Sequence, residues 1–317
     1  MTSAGFNWTF PLACLLVGVT AVLLCFGALV TTYDAAMAVP DWPATYGHNM
    51  FLFPFAEWFF GPWDLFLEHG HRLLGATVGI ITLALAAVVW LREPSATVRS
   101  LVVAAVLLVV LQGALGGARV LLDDKTVAKV HACTGPLFFA VTVAVAALVA
   151  NRARAAAPSG PLALRVTVAL AAAAYVQLVA GAQLRHLDAA TITPATFRWL
   201  VAFHILGAVA VAGLSWAAVP VCRRQGSRAA FRWAVAIAAL VVCQLLLGLG
   251  AWFVSWGVPS GFLPASWLPA EPIAARSPRG ALVVTGHVVL GMLILGGSVA
   301  LAVAAGLFHR TRARGVA

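Results

Sequence analysis

Eight apolar runs alternate with short polar breaks along the chain, at about residues 11–31, 70–91, 100–122, 129–150, 163–184, 199–221, 233–256 and 282–307. Crossing a bilayer takes about 20 apolar residues in a helix. Hydrocarbon offers no partner to a free amide, so each run must close its hydrogen bonds on itself. The pattern predicts an all-α integral membrane protein with eight transmembrane helices. No Lys or Arg precedes the first run, and the run is too long for a signal-peptide core, so it reads as a retained helix. No Arg-rich transit segment precedes it either, which favours a bacterial membrane.

Composition agrees with that pattern. Charged residues are 9% of the chain and apolar residues 62%, against about 25% charged in globular domains. The net charge of +10 is a matter of placement. Arg92, Arg99, Arg152, Arg154, Arg165, Arg223, Arg224, Arg228, Arg232, Arg310, Arg312 and Arg314 follow spans two, four, six and eight, with Glu93 as the single acid beside them. The positive-inside rule then puts both termini in the cytoplasm of a multi-pass protein of the bacterial cell membrane. The basic surplus is a topology signal, and nucleic acid is excluded as a partner. Cys14, Cys25, Cys133, Cys222 and Cys243 all fall in or at the ends of spans, and read as small packing residues.

The chain reads as an internal duplication. Gly27-Ala-Leu-Val-Thr-Thr-Tyr-Asp34-Ala-Ala36 aligns without a gap to Gly181-Ala-Gln-Leu-Arg-His-Leu-Asp188-Ala-Ala190, and Gln112-x-x-x-Gly116 matches Gln244-x-x-x-Gly248 and Gln177-x-x-x-Gly181. The join lies within residues 151–162, where Pro158, Ser159, Gly160 and Pro161 have linker composition. Residues 1–155 and 156–317 are the expected halves. Four spans in each make them parallel pseudo-repeated four-helix bundles.

His71, His131, His204 and His287 recur at matched places in the even-numbered spans, each followed by a glycine three or four residues on: Gly75, Gly135, Gly207 and Gly291. Gly61-Pro62, Thr193-Pro194 and Ser277-Pro278 read as an N-cap followed by proline at the first helical position. The histidine nine or ten residues on then lies roughly 14 Å along its helix. His131 has a shorter lead, from Asp124 or Thr126. A polar ring inside a bilayer is expensive and has a partner or a task. Imidazole is the commonest metal ligand, and four at one depth suggest two axial pairs holding two haems. The nearby glycines would let a macrocycle approach the backbone, or serve helix packing.

Glu68 lies three residues before His71, on the same helix face. Its counterpart before His204 is Val201, so only the first half has a carboxylate beside its haem. Reaction in the first half and electron storage or structural support in the second is the expected division. Arg72, Arg119 and Arg185, with Lys125 and Lys129, are candidate partners of haem propionates or headgroups. His48, His69, His186 and His309 are read as non-ligands. The aromatic stretch at residues 51–66, with Trp58 and Trp63, is expected at the membrane interface, covering the first-half site.

These residues together resemble the haem A synthase family. Glu68-His-Gly-His71-Arg72 is similar to its Glu-x-x-His-Arg motif, and Val39-Pro40-Asp41-Trp42-Pro43 with Gly47 to its Pro-Asp-Trp-Pro stretch. Gln112-Gly-Ala-Leu-Gly116-Gly117 resembles its third-helix pattern, and His131, His204 and His287 match its other histidines. The resemblance implies an oxidoreductase that converts the C8 methyl of haem O to a formyl group, giving haem A for haem–copper oxidases. It makes His71 and His131 the ligands of the substrate haem and Glu68 the catalytic carboxylate. It gives a haem B to His204 and His287. It implies an electron donor or acceptor of unidentified kind, and haem O synthase and oxidase assembly factors as partners. Many bacterial members carry a cysteine pair in an outer loop, and no such pair stands here. Some members repeat His-Arg in the second half, whereas Ile205 follows His204. The rival reading is a di-haem, cytochrome b-like electron carrier without a substrate. It needs neither a lone Glu68 nor the aromatic loop. A repeat-built transporter is weaker, since the spans hold few carboxylates.

Overall fold

The computed structural model describes residues 8–153, 159–187, 191–257 and 276–308. Asp188, Ala189, Ala190, Pro158, Arg154, His309, Arg310, Arg312 and Arg314 lie outside them. The described residues form α1 (Thr9–Thr32), α2 (Phe55–Phe59), α3 (Trp63–Arg92), α4 (Ala96–Leu122), α5 (Lys125–Ala153), α6 (Pro161–Arg185), α7 (Pro194–Gln225), α8 (Arg228–Trp256) and α9 (Pro278–Ala305), with no strand among them. All but α2 are long and apolar enough to span a membrane.

Helix starts follow local chemistry. Thr193, Ser227 and Ser277 are N-caps whose hydroxyls accept from Thr196, Ala230 and Gly280 amides. Pro161, Pro194 and Pro278 take the first turn, where a missing N–H costs nothing. The exception is Pro62, which is itself the N-cap of α3, with Trp63 as the first helical residue. Asp124 caps α5 by accepting from the amides of Thr126 and Val127 at 2.6 and 2.9 Å. α3 starts before the apolar run expected from residue 70, because its first turns carry Asp64, Glu68 and His69.

Among the membrane-length helices, α1 packs on α3 and α5, and α4 on the same two; α6 packs on α7 and α9, and α8 on those. One apolar core joins Leu16, Val78, Leu85, Val102 and Val145. A second joins Leu170, Val211, Ile237 and Leu295. Val299 packs against both. The seam runs along α5 and α9, the two spans most buried in protein (44% of each apolar window, against 17% for α4). Ile80, Leu107, Trp199, Leu206 and Leu246 stay more than half exposed, as lipid-facing residues do.

Polar contacts cross the seam at one end. Where α3, α5, α7 and α9 begin, called the upper end below, Arg185 donates to Ala28 O and Thr32 Oγ1, both at 2.7 Å. Thr32 bonds Thr285, and Arg276 pairs with Asp34. At the lower end two polar contacts stay each on its own side of the seam: Arg152 pairs with Glu93, and the Gly160 amide donates to Gln225 O. All five cysteines are free thiols. Tyr175 and Gln183 approach Cys133, while His131 faces Gly116, so the two residues do point apart.

At the seam itself, a Cβ on Gly296 would lie 2.8 Å from the Phe139 ring. Phe139 is buried, so Gly296→Val overpacks α5 against α9 and should cost about 1–3 kcal/mol. A lowered thermal midpoint in detergent, restored in part by Phe139→Leu, is the expected outcome.

Candidate functional site

Each of the four histidines rests on the membrane-length helix that precedes its own, and on a glycine each time. A Cβ on Gly27 would stand 3.0 Å from Cε1 of His71, and one on Gly116 3.4 Å from that of His131. The same distance is 3.1 Å for Gly181 and His204, and 2.9 Å for Gly248 and His287. Gly27 and Gly181 are aligned in the duplication, and Gly116 and Gly248 close the matched glutamine motifs. These glycines do not bring a macrocycle to the backbone. Imidazoles fill the room their missing side chains leave. The glycines after the histidines are filled as well, Gly135, Gly207 and Gly291 by Gln112, Gln177 and Gln244. Only Gly75 has nothing within 4 Å.

The seat orients the ring. Nδ1 of His71, His131 and His287 is buried without a bond of full hydrogen-bond geometry. The backbones of Leu23, Gln112 and Gln244 lie near these three rings. Each of these residues as a whole is half-buried. The rings of His204 and His287 stand 6.4 Å apart at 70°. Metal–imidazole bonds of about 2 Å on either side of one metal set ring centroids roughly 6 Å apart. His71 and His131 lie within electrostatic reach of each other.

Glutamines tie the histidine helices down. Gln177 Nε2 donates to His204 O at 2.9 Å and also contacts the His204 ring. Gln244 Nε2 donates to His287 O at 2.9 Å. Gln112 reaches Thr134, whose hydroxyl lies 3.3 Å from His131 O and 2.8 Å from Val130 O. The place of the glutamine in α1 is held by Leu23.

Above His71 lies a buried ionic clamp. Glu68 is 1% exposed; its Oε1 accepts from Arg72 at 2.8 Å and its Oε2 from the Val39 amide at 2.9 Å. Arg72 also donates to the carbonyls of Val39, Asp41 and Ala44 at 2.6–3.0 Å. Both residues therefore grip the loop after α1. That loop is turned by Asp41, whose carboxylate accepts from the amides of Tyr46 and Gly47. Partial burial raises the Asp41 pKa, but these two amides and the Arg72 charge outweigh it and hold the group below the usual carboxylate range. Gly47 has φ +77°, which favours glycine. The loop lays Trp42 flat on Gly117 of α4, beside the His131 seat. Sequence reasoning missed this function of the motif; its proline and glycine were visible, its backbone acceptors were not.

Arg119 lies within electrostatic reach of Glu68, Arg72, His71, His131 and His186. Arg185 is used across the seam and lies near His287. His69 is buried against Phe53 and Trp58 with Nδ1 on Thr45 Oγ1 at 3.1 Å, away from the seats. His48 pairs with Thr45 in the loop. Phe55, Phe59 and Phe60 on and beside α2 are exposed, and Trp58 stacks on Phe66. His186 caps α6. Burial first, then the charges of Arg185, Arg119 and Lys129, push its imidazole down to about 4.

Arg72→Lys keeps the charge but loses the planar fork that reaches several acceptors. Hydrogen exchange over residues 39–47 should rise about tenfold, the equivalent of one lost net hydrogen bond or more. For His186 the folded group binds fewer protons than the unfolded one between pH 6.5 and about 4. Stability is therefore fully present above 6.5 and lost as pH falls toward 4. The thermal midpoint should drop further from pH 7 to pH 5 in the parent chain than in His186→Gln.

A search among curated proteins returns no match. The family model COX15-CtaA, described as cytochrome oxidase assembly protein, matches residues 62–263. The match takes in Glu68, His71, Arg72, Arg119, His131, Arg185 and His204, and stops short of His287. With well over half of its length matched, this chain belongs to the cytochrome oxidase assembly protein family, the haem A synthase family that its motifs resemble, and has a role in cytochrome oxidase assembly.

Proposed function

We propose that this chain is a haem A synthase, an oxidoreductase that converts the C8 methyl of haem O to a formyl group. The observation that carries the reading is the fourfold seat of a histidine on a glycine of the preceding membrane-length helix, with the His204 and His287 rings 6.4 Å apart. No group of three His, Cys, Asp or Glu converges among the described residues, so a bare ion would be poorly held. An iron porphyrin brings its own equatorial nitrogens and needs only two axial groups. The donor set fits that requirement.

Residues 1–155 and 156–317 are proposed as parallel pseudo-repeated four-helix halves, supported by the paired seats and the separate apolar cores. His71 and His131 hold the substrate haem O; His204 and His287 hold a haem B. The bound haem B supplies one-electron chemistry. Arg119 and Arg185 stand at the upper end, where carboxylates of either porphyrin would meet a cation. Arg72 orients Glu68 and keeps the 39–47 loop closed over the first half, a role beside that of propionate partner. Glu68 shares a helix face with His71 and is the one carboxylate there. It accepts a proton as the methyl is oxidised, with Arg72 stabilising its charged form. The formyl oxygen comes from water, with four electrons and four protons passing to an acceptor of unidentified kind, or from dioxygen, with electrons supplied by a donor of unidentified kind. Haem O synthase and oxidase assembly factors are the partners the role calls for. The arginine-rich lower end faces the cytoplasm of a bacterial cell membrane, with both termini on that side.

One observation favours the di-haem carrier instead: both Glu68 oxygens already have partners in the loop clamp. The two readings part on one experiment. The chain is expressed with a haem O supply, and non-covalent haems are extracted and separated by chromatography. Haem A should appear, and should vanish in Glu68→Ala while haem remains bound. Haem B beside unchanged haem O supports the carrier, and a preparation without iron defeats both.

A further inference from the structure

The four histidine helices are not held alike. Those of His131, His204 and His287 are tied by an amide of the preceding membrane-length helix, directly for His204 and His287 and through the Thr134 hydroxyl for His131. The same glutamines fill the space at Gly135, Gly207 and Gly291. The His71 helix lacks both parts. Leu23 stands where the amide would be, the residue three after His71 is Leu74, and Gly75 has open space beside it. α3 is gripped instead above the histidine, by the Glu68–Arg72 clamp on the loop.

We propose that Leu23 makes His71 the exchange ligand: the first-half porphyrin is taken up and released through His71, while the second-half pair, tied at both helices, keeps its own. This rests on the haem A synthase reading and deepens it. A synthase must release its product, whereas a resident cofactor must stay. Release would require both first-half ligands to give up the iron, His71 first and His131 after it, with each electron pair returning to its imidazole nitrogen and no change of oxidation state. For the His71 bond to stay broken, the α3 backbone at His71 has to draw back from α1 or turn on its seat. A carbonyl of His71 without an amide partner across the helix pair, and free space at Gly75, leave that movement open. In α7 and α9 the same movement first breaks an amide–carbonyl bond and then meets a glutamine side chain. Leu23 is therefore a positioning residue acting through His71.

The test uses the full chain in detergent, loaded with haem B at both sites, mixed with excess apomyoglobin as haem acceptor. The parent chain should lose haem in two phases, the faster one absent from His71→Ala. Leu23→Gln places an amide opposite His71 O with little change of volume, and should slow the fast phase about threefold, the effect of one interhelical hydrogen bond in a membrane. Gln244→Leu should speed the slow phase by a similar factor and leave the fast one alone. Retained haem content and an unshifted low-spin spectrum in Leu23→Gln separate this effect from misfolding. A fast phase unmoved in Leu23→Gln, or a slow phase unmoved in Gln244→Leu, overturns the proposal and leaves the synthase reading standing. Failure of the parent chain to bind haem overturns both.

Discussion

Everything in this molecule answers to the cost of holding imidazoles inside a bilayer. A ring there must have one edge satisfied by protein, or helices will not stay together around it. The chain meets the requirement by one device used four times. A glycine on one helix admits the flank of a histidine from the next; Nδ1 of His71, His131 and His287 is buried there, and the Gln177 amide contacts the ring of His204. Interhelical hydrogen bonds in membranes average only about 0.6 kcal/mol. No single tie therefore fixes the arrangement. Close backbone packing at the glycine and the amide bond at the neighbouring glutamine act together, repeated from one helix pair to the next.

The departures from that repetition are as informative as the repetition. Glu68 has no counterpart at Val201, and Leu23 has none of the amide found at Gln112, Gln177 and Gln244. Both fall in the first half, on either side of His71. There the polar grip has moved from the helix pair to the loop above it, through a buried pair that also orders residues 39–47. Removing one partner of such a pair typically costs about 3–5 kcal/mol, because the other charge is left buried. A half that is clamped from above and free from below suits a porphyrin that comes and goes. A half tied at every helix suits one that remains.

Much of this was legible in the chain. The eight spans were written in hydropathy, and the starts of α7 and α9 in Thr193-Pro194 and Ser277-Pro278. The histidines stood out because a duplication set them at one depth. The glycines were visible too, but their purpose was not: spacing along one helix cannot say which neighbour fills a gap. The start of α3 lay ahead of the apolar run because Asp64, Glu68 and His69 interrupt it. Glu68 was read as a lone carboxylate beside a ligand. That its oxygens would meet the Val39 amide and Arg72 depends on how a loop folds back, which no local pattern encodes. The short α2 was hidden for a similar reason, inside an aromatic stretch that reads as interface.

The pairing of ligands within each half is the central claim. The most direct measurement is the haem-to-protein ratio, with electron paramagnetic resonance of the low-spin iron, across double variants. His71→Ala with His131→Ala should leave one low-spin haem per chain, and so should His204→Ala with His287→Ala. His71→Ala with His204→Ala should leave no six-coordinate bis-imidazole signal, because each half has lost one ligand. A full low-spin signal in that last variant would mean that His131 and His287 share an iron across the seam, and would contradict the account.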